Sequence, residues 1–325
     1  REQFSFSQTT RQFTQGRASG GKTSVAGLYA EGASRFYNWL LTLGARADRW
    51  SSSDGHLVQT VFATGATTTL ERTDHNLSGR AGLVFQPNKV QSWYVAYGTS
   101  FNPSTQALTL SAAQAPVAPE RTRSYEIGTR WEVLDEKLSL SSALFRVDKF
   151  DARTTDPVTT VVSLDGDTRV QGFELGAVGR ISHAWQITAG YTFLDSEIVH
   201  SKDIVQAVVG PGAAVPVPAQ GKDLPNTPKN SGSLWTSYKF LHDFEVGGGT
   251  YYVGKRYITN SNMTSVDGYW RVDGTFAFHQ PVYDVQLNVQ NLLDEEYYDS
   301  IVASENGRAV PGRGLTAIAS VTYKF

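Results

Sequence analysis

The apolar residues of this chain recur with a period of two, segment after segment. From Trp185 one face reads Trp185, Ile187, Ala189, Tyr191 and Phe193, and the intervening residues are Gln186, Thr188, Gly190 and Thr192. Tyr283, Val285, Leu287 and Val289 alternate with Asp284, Gln286, Asn288 and Gln290. Trp270, Val272, Gly274, Phe276 and Phe278 alternate with Arg271, Asp273, Thr275 and Ala277, and Tyr125, Ile127, Thr129, Trp131 and Val133 with Ser124, Glu126, Gly128, Arg130 and Glu132. This is the period of a strand, and no long segment carries the 3.6-residue repeat of a helix. The segments run about 10 to 14 residues, roughly twice the usual globular strand. At about 3.3 Å per residue and a tilt near 45°, ten or eleven residues rise roughly 25 Å. Many begin or end on an aromatic residue: Tyr37 and Trp50, Trp93 and Phe101, Trp185 and Phe193, Trp270 and Phe278.

The connections alternate in length. Short ones are expected at Gln86–Val90, Leu134–Lys137, Ser182–His183, Leu241–Asp243 and Gln280–Val282. Long ones are expected at Ser51–Asp74, Asn102–Glu120, Ala152–Gly166, Ser196–Lys229, Thr259–Asp267 and Asp294–Arg313. Short turns on one side and long loops on the other, with aromatic rings at both ends of an apolar band, are the arrangement of a bacterial outer-membrane barrel. The expected fold is therefore all-β, a transmembrane antiparallel up-and-down β-barrel. It has about 14 strands, the first near Glu2–Thr10 and the last near Leu315–Phe325. A β-sandwich has shorter strands and less regular connections, and a propeller would show a repeat of fixed period. Composition agrees: 18% of residues are charged and the net charge is −2, which leaves no basic stripe for nucleic acid, and there is no cysteine for disulfides or thiolate chemistry. There is no run of about 20 apolar residues. The chain opens at Arg1 without a signal-peptide pattern and reads as a mature or excised segment.

Six stretches resemble, in order, the strands of TonB-dependent outer-membrane receptors of the ferric-siderophore type. They are SWYVAYGTSFNPS from Ser92, PERTRSYEIGTRW from Pro119, VQGFELGAVGRI from Val170 with WQITAGYTFLDSEI from Trp185, NTPKNSGSLWTSYKF from Asn226, LNVQNLLDEEYY from Leu287, and PGRGLTAIASVTYKF from Pro311. The last ends on Tyr323 and Phe325, similar to the signal read by the outer-membrane assembly machinery. The resemblance implies a 22-strand barrel around a globular plug preceded by a TonB box. Neither plug nor TonB box is found here, so residues 1–325 are expected to be the C-terminal portion of such a barrel. The implied function is import of a ferric siderophore captured by extracellular loops and passed inward on TonB energy coupling, with no enzymatic chemistry. Iron enters only inside the siderophore, and no other cofactor is implied. The expected partners are the siderophore, TonB through the N-terminal parts, and outer-membrane lipid. A receptor for cobalamin or a glycan, or a self-contained passive diffusion channel, are the alternatives.

Ligand contacts are expected from Tyr251, Arg256 and Tyr257 near one upper rim, Tyr269 and Arg271 opposite, and Tyr297, Tyr298, Arg308 and Arg313 in the last loop. Arg supplies charge and forked donors for an anionic chelate, and Tyr stacks on planar chelating groups. The competing reading makes the tyrosines girdle residues and the arginines lumen ion pairs, as Arg46, Arg80, Arg130 and Arg180 are expected to be. None of the six histidines is spaced as a metal pair, and they are read as turn and loop residues. LDGDTR (Leu164–Arg169) reads as a hairpin turn rather than a calcium loop. GGG (Gly247–Gly249) reads as a place of close backbone approach.

Overall fold

The structure, a computed structural model, describes residues 2–7, 12–59, 66–103, 119–156, 158, 162–210, 213–302 and 308–325, with backbone alone at 2–7, 12–21, 54–59, 66–70, 162, 208 and 302. Its elements are all strands: β1 (Glu2–Ser7), β2 (Gln12–Phe36), β3 (Trp39–Gln59), β4 (Ala66–Phe85), β5 (Gln91–Asn102), β6 (Glu120–Val133), β7 (Leu138–Thr155), β8 (Val162–Arg180), β9 (Trp185–His200), β10 (Ile204–Gly210), β11 (Ala213–Pro218), β12 (Asn230–Phe240), β13 (Phe244–Val253), β14 (Arg256–Tyr257), β15 (Ser265–Val266), β16 (Tyr269–His279), β17 (Tyr283–Gln290), β18 (Tyr298–Val302), β19 (Arg308–Pro311) and β20 (Thr316–Tyr323). Fourteen form one antiparallel sheet in which each strand pairs with the next in chain order, from β1 to β9 and then β12, β13, β16, β17 and β20. The other six make three two-stranded hairpins, β10–β11, β14–β15 and β18–β19, inserted in the last three long connections. Among the described residues β1 and β20 do not pair, so the sheet is an open wall rather than a closed ring. The first strand runs to Ser7, with Gln8–Thr10 outside the described residues.

The register shows which face is which. Leu287 pairs with Phe276 and Ala319, and Val285 with Phe278 and Val321, so apolar residues line up across strands and stand exposed to the outside. Asn288 and Thr275 line up on the polar face, where their side chains hydrogen-bond at 2.9 Å. Rings cluster in two bands. Trp39–Phe85, Trp93–Trp131 and Phe244–Phe278 lie at the short-turn end, with centroids 4.5, 5.9 and 4.8 Å apart. Tyr97–Tyr125 and Tyr252–Trp270 lie toward the other end, at 5.2 and 4.6 Å. An amphipathic ring prefers the headgroup level, so the bands mark the two interfaces.

The short connections fall where expected, and Tyr37–Asn38 adds one between β2 and β3. Several are made by non-glycine residues in the left-handed region, among them Tyr37, Leu134 to Glu136, Leu241 and His242. The long connections differ from expectation. Ser51–Asp74 is mostly ladder: β3 runs to Gln59 and β4 starts at Ala66, which pair with each other. The same holds for Ala152–Gly166, where Thr155 pairs with Val162. β2, β3 and β4 are 25, 21 and 20 residues long. A bilayer takes about 9–11 residues of a tilted strand, so half or more of each stands above it. The ladder continues because it satisfies backbone N–H and C=O groups whether lipid or water lies outside. LDGDTR is correspondingly strand, not a turn: it opens β8 opposite an irregular stretch of β7 in which Asp151 has a φ of 56°. His56, His75, His200 and His279 lie in strands rather than loops. In GGG, a Cβ on Gly249 would sit 2.4 Å from the Leu234 carbonyl oxygen, so close backbone approach is what these glycines allow. Most of Asn102–Glu120 lies outside the described residues.

Candidate functional site

Tyr251 of β13 and Arg271 of β16 are register partners on the polar face, neighbours along the wall rather than facing groups across the lumen. The Arg271 guanidinium lies over the Tyr251 ring, 4.7 Å from its centroid. Its Nε and one Nη donate to the two Asp273 oxygens at 3.1 and 2.9 Å, and its other Nη reaches the Tyr297 hydroxyl at 3.4 Å. The Tyr297 ring lies against Tyr269, centroids 4.3 Å apart. Four of the expected residues, Tyr251, Tyr269, Arg271 and Tyr297, are thus one cluster, made of a cation fixed by a carboxylate and three aromatic rings.

The turn after β17 holds Tyr297 in place. Asn291, 1% exposed with a φ of 54°, donates from Nδ2 to the carbonyls of Glu295 and Arg313, both at 3.0 Å. Its Oδ1 accepts the Glu295 N–H at 2.9 Å, and its own N–H donates to Asp273 Oδ1 at 2.9 Å. Asp294 Oδ1 accepts the Leu315 N–H at 2.7 Å, tying the turn to the start of β20. A Cβ on Gly312 would lie 2.1 Å from the Tyr297 ring, so only glycine leaves room for it. Asn291, Asp294 and Tyr297 carry these contacts within the NLLDEEYY stretch, so that motif is a turn that seats one aromatic ring. Asp273 and Asn291 were not among the expected site residues. Their signal was present in the Arg271-x-Asp273 spacing, which puts both side chains on one face, and in the Asn291–Asp294 turn.

Arg256 has a different environment. It is 6% exposed and donates to the Tyr298 carbonyl at 2.6 Å, the Asp299 carbonyl at 3.2 Å and Asn226 Oδ1 at 3.4 Å. The Tyr257 carbonyl accepts the Asn226 N–H at 2.9 Å, and Lys255 lies over the Tyr257 ring at 5.1 Å. Asn262 joins the same loops, accepting the Asp223 N–H at 2.7 Å and donating to its carbonyl at 2.9 Å. Ile258, Val266 and Ile301 bury one another between the β14–β15 and β18–β19 hairpins. The three long connections are therefore pinned into one block. Tyr298, Arg308 and Arg313 present exposed side chains on that block and at the approach to β20. Lower on the wall, Arg46 pairs with Asp48 at 2.8 Å, Arg130 with Glu132 at 2.6 Å and Arg80 with Glu31. Tyr323 and Phe325 meet edge to face at 5.1 Å, with Tyr323 opposite Tyr283 on the apolar face. Among the described residues no group of His, Cys, Asp or Glu has the arrangement of a metal site.

The family model described as "TonB dependent receptor-like, beta-barrel" matches residues 2–292. The chain belongs to the TonB-dependent receptor family. Over 295 residues it is 32% identical to a probable TonB-dependent siderophore receptor, PiuA, of Acinetobacter baumannii, covering 88% of this chain and 38% of that protein. It is 30% identical to the catecholate siderophore receptor Fiu of Escherichia coli K12, covering 77% of this chain and 33% of that one. The crystal structure of the A. baumannii PiuA receptor superposes with a TM-score of 0.84 at 30% identity, over 97% of this chain and 44% of that one. The chain thus spans less than half the length of these relatives. TonB-dependent receptor barrels are outer-membrane proteins and transporters rather than enzymes, and the apolar outward face of this wall places it in that membrane.

Proposed function

We propose that residues 1–325 are the C-terminal portion of the barrel of an outer-membrane receptor that imports ferric siderophores, with transport driven through TonB by parts of the receptor beyond this segment. The family assignment carries this reading. The Tyr251–Arg271–Tyr297–Tyr269 cluster supports a planar, anionic iron chelate as ligand: the guanidinium is held in place and offers charge, and the rings offer π-faces. Relatives named for catecholate and ferrioxamine siderophores bracket the ligand chemistry, and the anionic catecholate is the better match to an arginine. The open edges of β1 and β20 speak against a self-contained 14-strand diffusion channel. Tyr323 and Phe325 serve, in this reading, as the assembly signal.

The test is uptake of radiolabelled ferric siderophore by cells carrying the full-length receptor as their one siderophore receptor. Uptake should vanish when TonB is deleted. Arg271→Gln should weaken binding of a ferric catecholate to the purified receptor at least tenfold while leaving its amount in the membrane unchanged. TonB-independent uptake would favour the diffusion channel, and unchanged catecholate affinity would remove Arg271 from the site.

A further inference from the structure

The outward face carries a group of arginines that ligand import does not use. On this face β6, β7 and β8 present Tyr125, Ile127, Leu144, Phe173 and Leu175, the apolar surface of the wall. Followed toward the long connections, the same face changes character to Arg121 and Arg123 on β6, Arg146 on β7 and Arg169 on β8. Arg123 lies about ten residues above the short-turn end of β6 at Val133, about 33 Å along the strand and about 23 Å in height at 45° tilt. That is the top of an apolar band of about 25 Å, where lipid headgroups begin.

The arginines are held so that their charge faces out. Arg146 Nε and Arg169 Nε each donate at 2.8 Å to a different oxygen of Asp148. The Asp148 side chain is 8% exposed, whereas those of Arg146 and Arg169 are 45% and 31% exposed, so one hidden carboxylate anchors two accessible cations. Arg123 is exposed and packs over Phe150 at 4.8 Å. Arg121, its side chain 68% exposed, lies 4.0 Å from Asp151. Two aspartates, Asp148 and Asp151, thus face these four arginines directly, while Asp165 and Asp167 lie further along β8, Asp165 paired with Lys202, and Asp195 and Glu197 of β9 bound the patch on one side. Directly below Arg146 is an outward depression of about 390 Å³ lined by Val95, Tyr125, Ile127 and Leu144.

We propose that Arg121, Arg123, Arg146 and Arg169 form a binding site for the phosphate of an outer-leaflet lipid headgroup, with an acyl chain of the same lipid lying in the depression beneath Arg146. Guanidinium groups grip phosphate oxygens through paired N–H donors, and arginines anchored on a buried carboxylate are already oriented for it. An apolar groove continuous with a cationic rim fits a lipid rather than a free anion, because the lipid satisfies both surfaces together.

The test uses the full-length receptor in detergent, mixed with diphosphoryl lipid A or its dephosphorylated counterpart, with bound lipid counted by native mass spectrometry. The unaltered receptor should retain the phosphorylated lipid at least tenfold more strongly. The double variant Arg121→Gln, Arg123→Gln, which leaves the Arg146–Asp148–Arg169 triad intact, should lose most of that preference. Leu144→Trp, which fills the depression, should weaken both lipids. Heat-modifiable gel migration verifies that each variant is folded. Equal retention of the two lipids by the unaltered receptor, or an unchanged preference in the double variant, would overturn the site. Full displacement of the lipid by an equal concentration of inorganic phosphate would overturn the lipid as its occupant.

Discussion

Replacing Leu287 with Arg tests the assignment of the two faces. Leu287 lies between Phe276 and Ala319 on the apolar face and is exposed there. It stands about four residues above Tyr283 at the short-turn interface, about 13 Å along the strand and about 9 Å in height. In an apolar band of about 25 Å that is within a few ångströms of the midplane, where an arginine on the lipid face destabilises a barrel by about 2–4 kcal/mol. The folding equilibrium should shift by about 30- to 700-fold. The matched control is Ser320→Arg: Ser320 pairs with Gln286, one residue away in depth, but faces the lumen, so its effect should stay below about 1 kcal/mol. Denaturant titration of the full-length receptor folded into vesicles, followed by tryptophan fluorescence, measures both. Equal losses for the two variants would refute the assignment of lipid and lumen faces, and a larger loss for Ser320→Arg would invert it.

Three further outcomes are expected. Protease added to intact cells should cut in the exposed Ala213–Pro218 strand of the long β9–β12 connection, and cleavage confined to Gln86–Val90 would reverse the topology. In the outer part of β8, hydrogen bonding from Lys202, Thr154 and Ser163 holds the Asp165 carboxyl well below the usual carboxylate range. That contribution to stability is complete above the unfolded value of about 3.9 and is lost only as pH falls below it toward the depressed folded value. Lys202→Gln should therefore raise the pH at which the β7–β8 hairpin becomes protease-sensitive, and an unmoved midpoint would show the pair to be inert. Arg256→Gln should loosen the β18–β19 hairpin, since bonds to a charged donor contribute about 1.5–3 kcal/mol each; hydrogen exchange at Tyr298–Val302 should rise, and unaltered protection would mean the hairpin is held by Ile301 alone.

The strand architecture was legible because period-two alternation states both the strand and its buried or lipid-facing side. Trp270 to Phe278 and Tyr283 to Val289 need no other information. The short turns were legible for the same reason, as interruptions of that alternation. The reach of β3 and β4 beyond the membrane was not, because the sequence of Ser51–Asp74 is mostly polar and carries no sustained period-two alternation, and polar strand and polar loop have the same composition. At the candidate site the residue types were readable but not their division of labour. Arg256 and Arg271 are alike in sequence, yet one is turned inward onto carbonyls and the other is braced by Asp273 against the lumen face. That difference depends on which loops meet, a matter of contacts far apart in the chain.

Arg256 grips the β18 strand by the carbonyl oxygens of Tyr298 and Asp299, not by their side chains. Every residue type has a carbonyl, so the clasp is blind to which amino acids occupy those positions. The side chains of this strand can then drift in sequence without altering the shape of the scaffold that carries them.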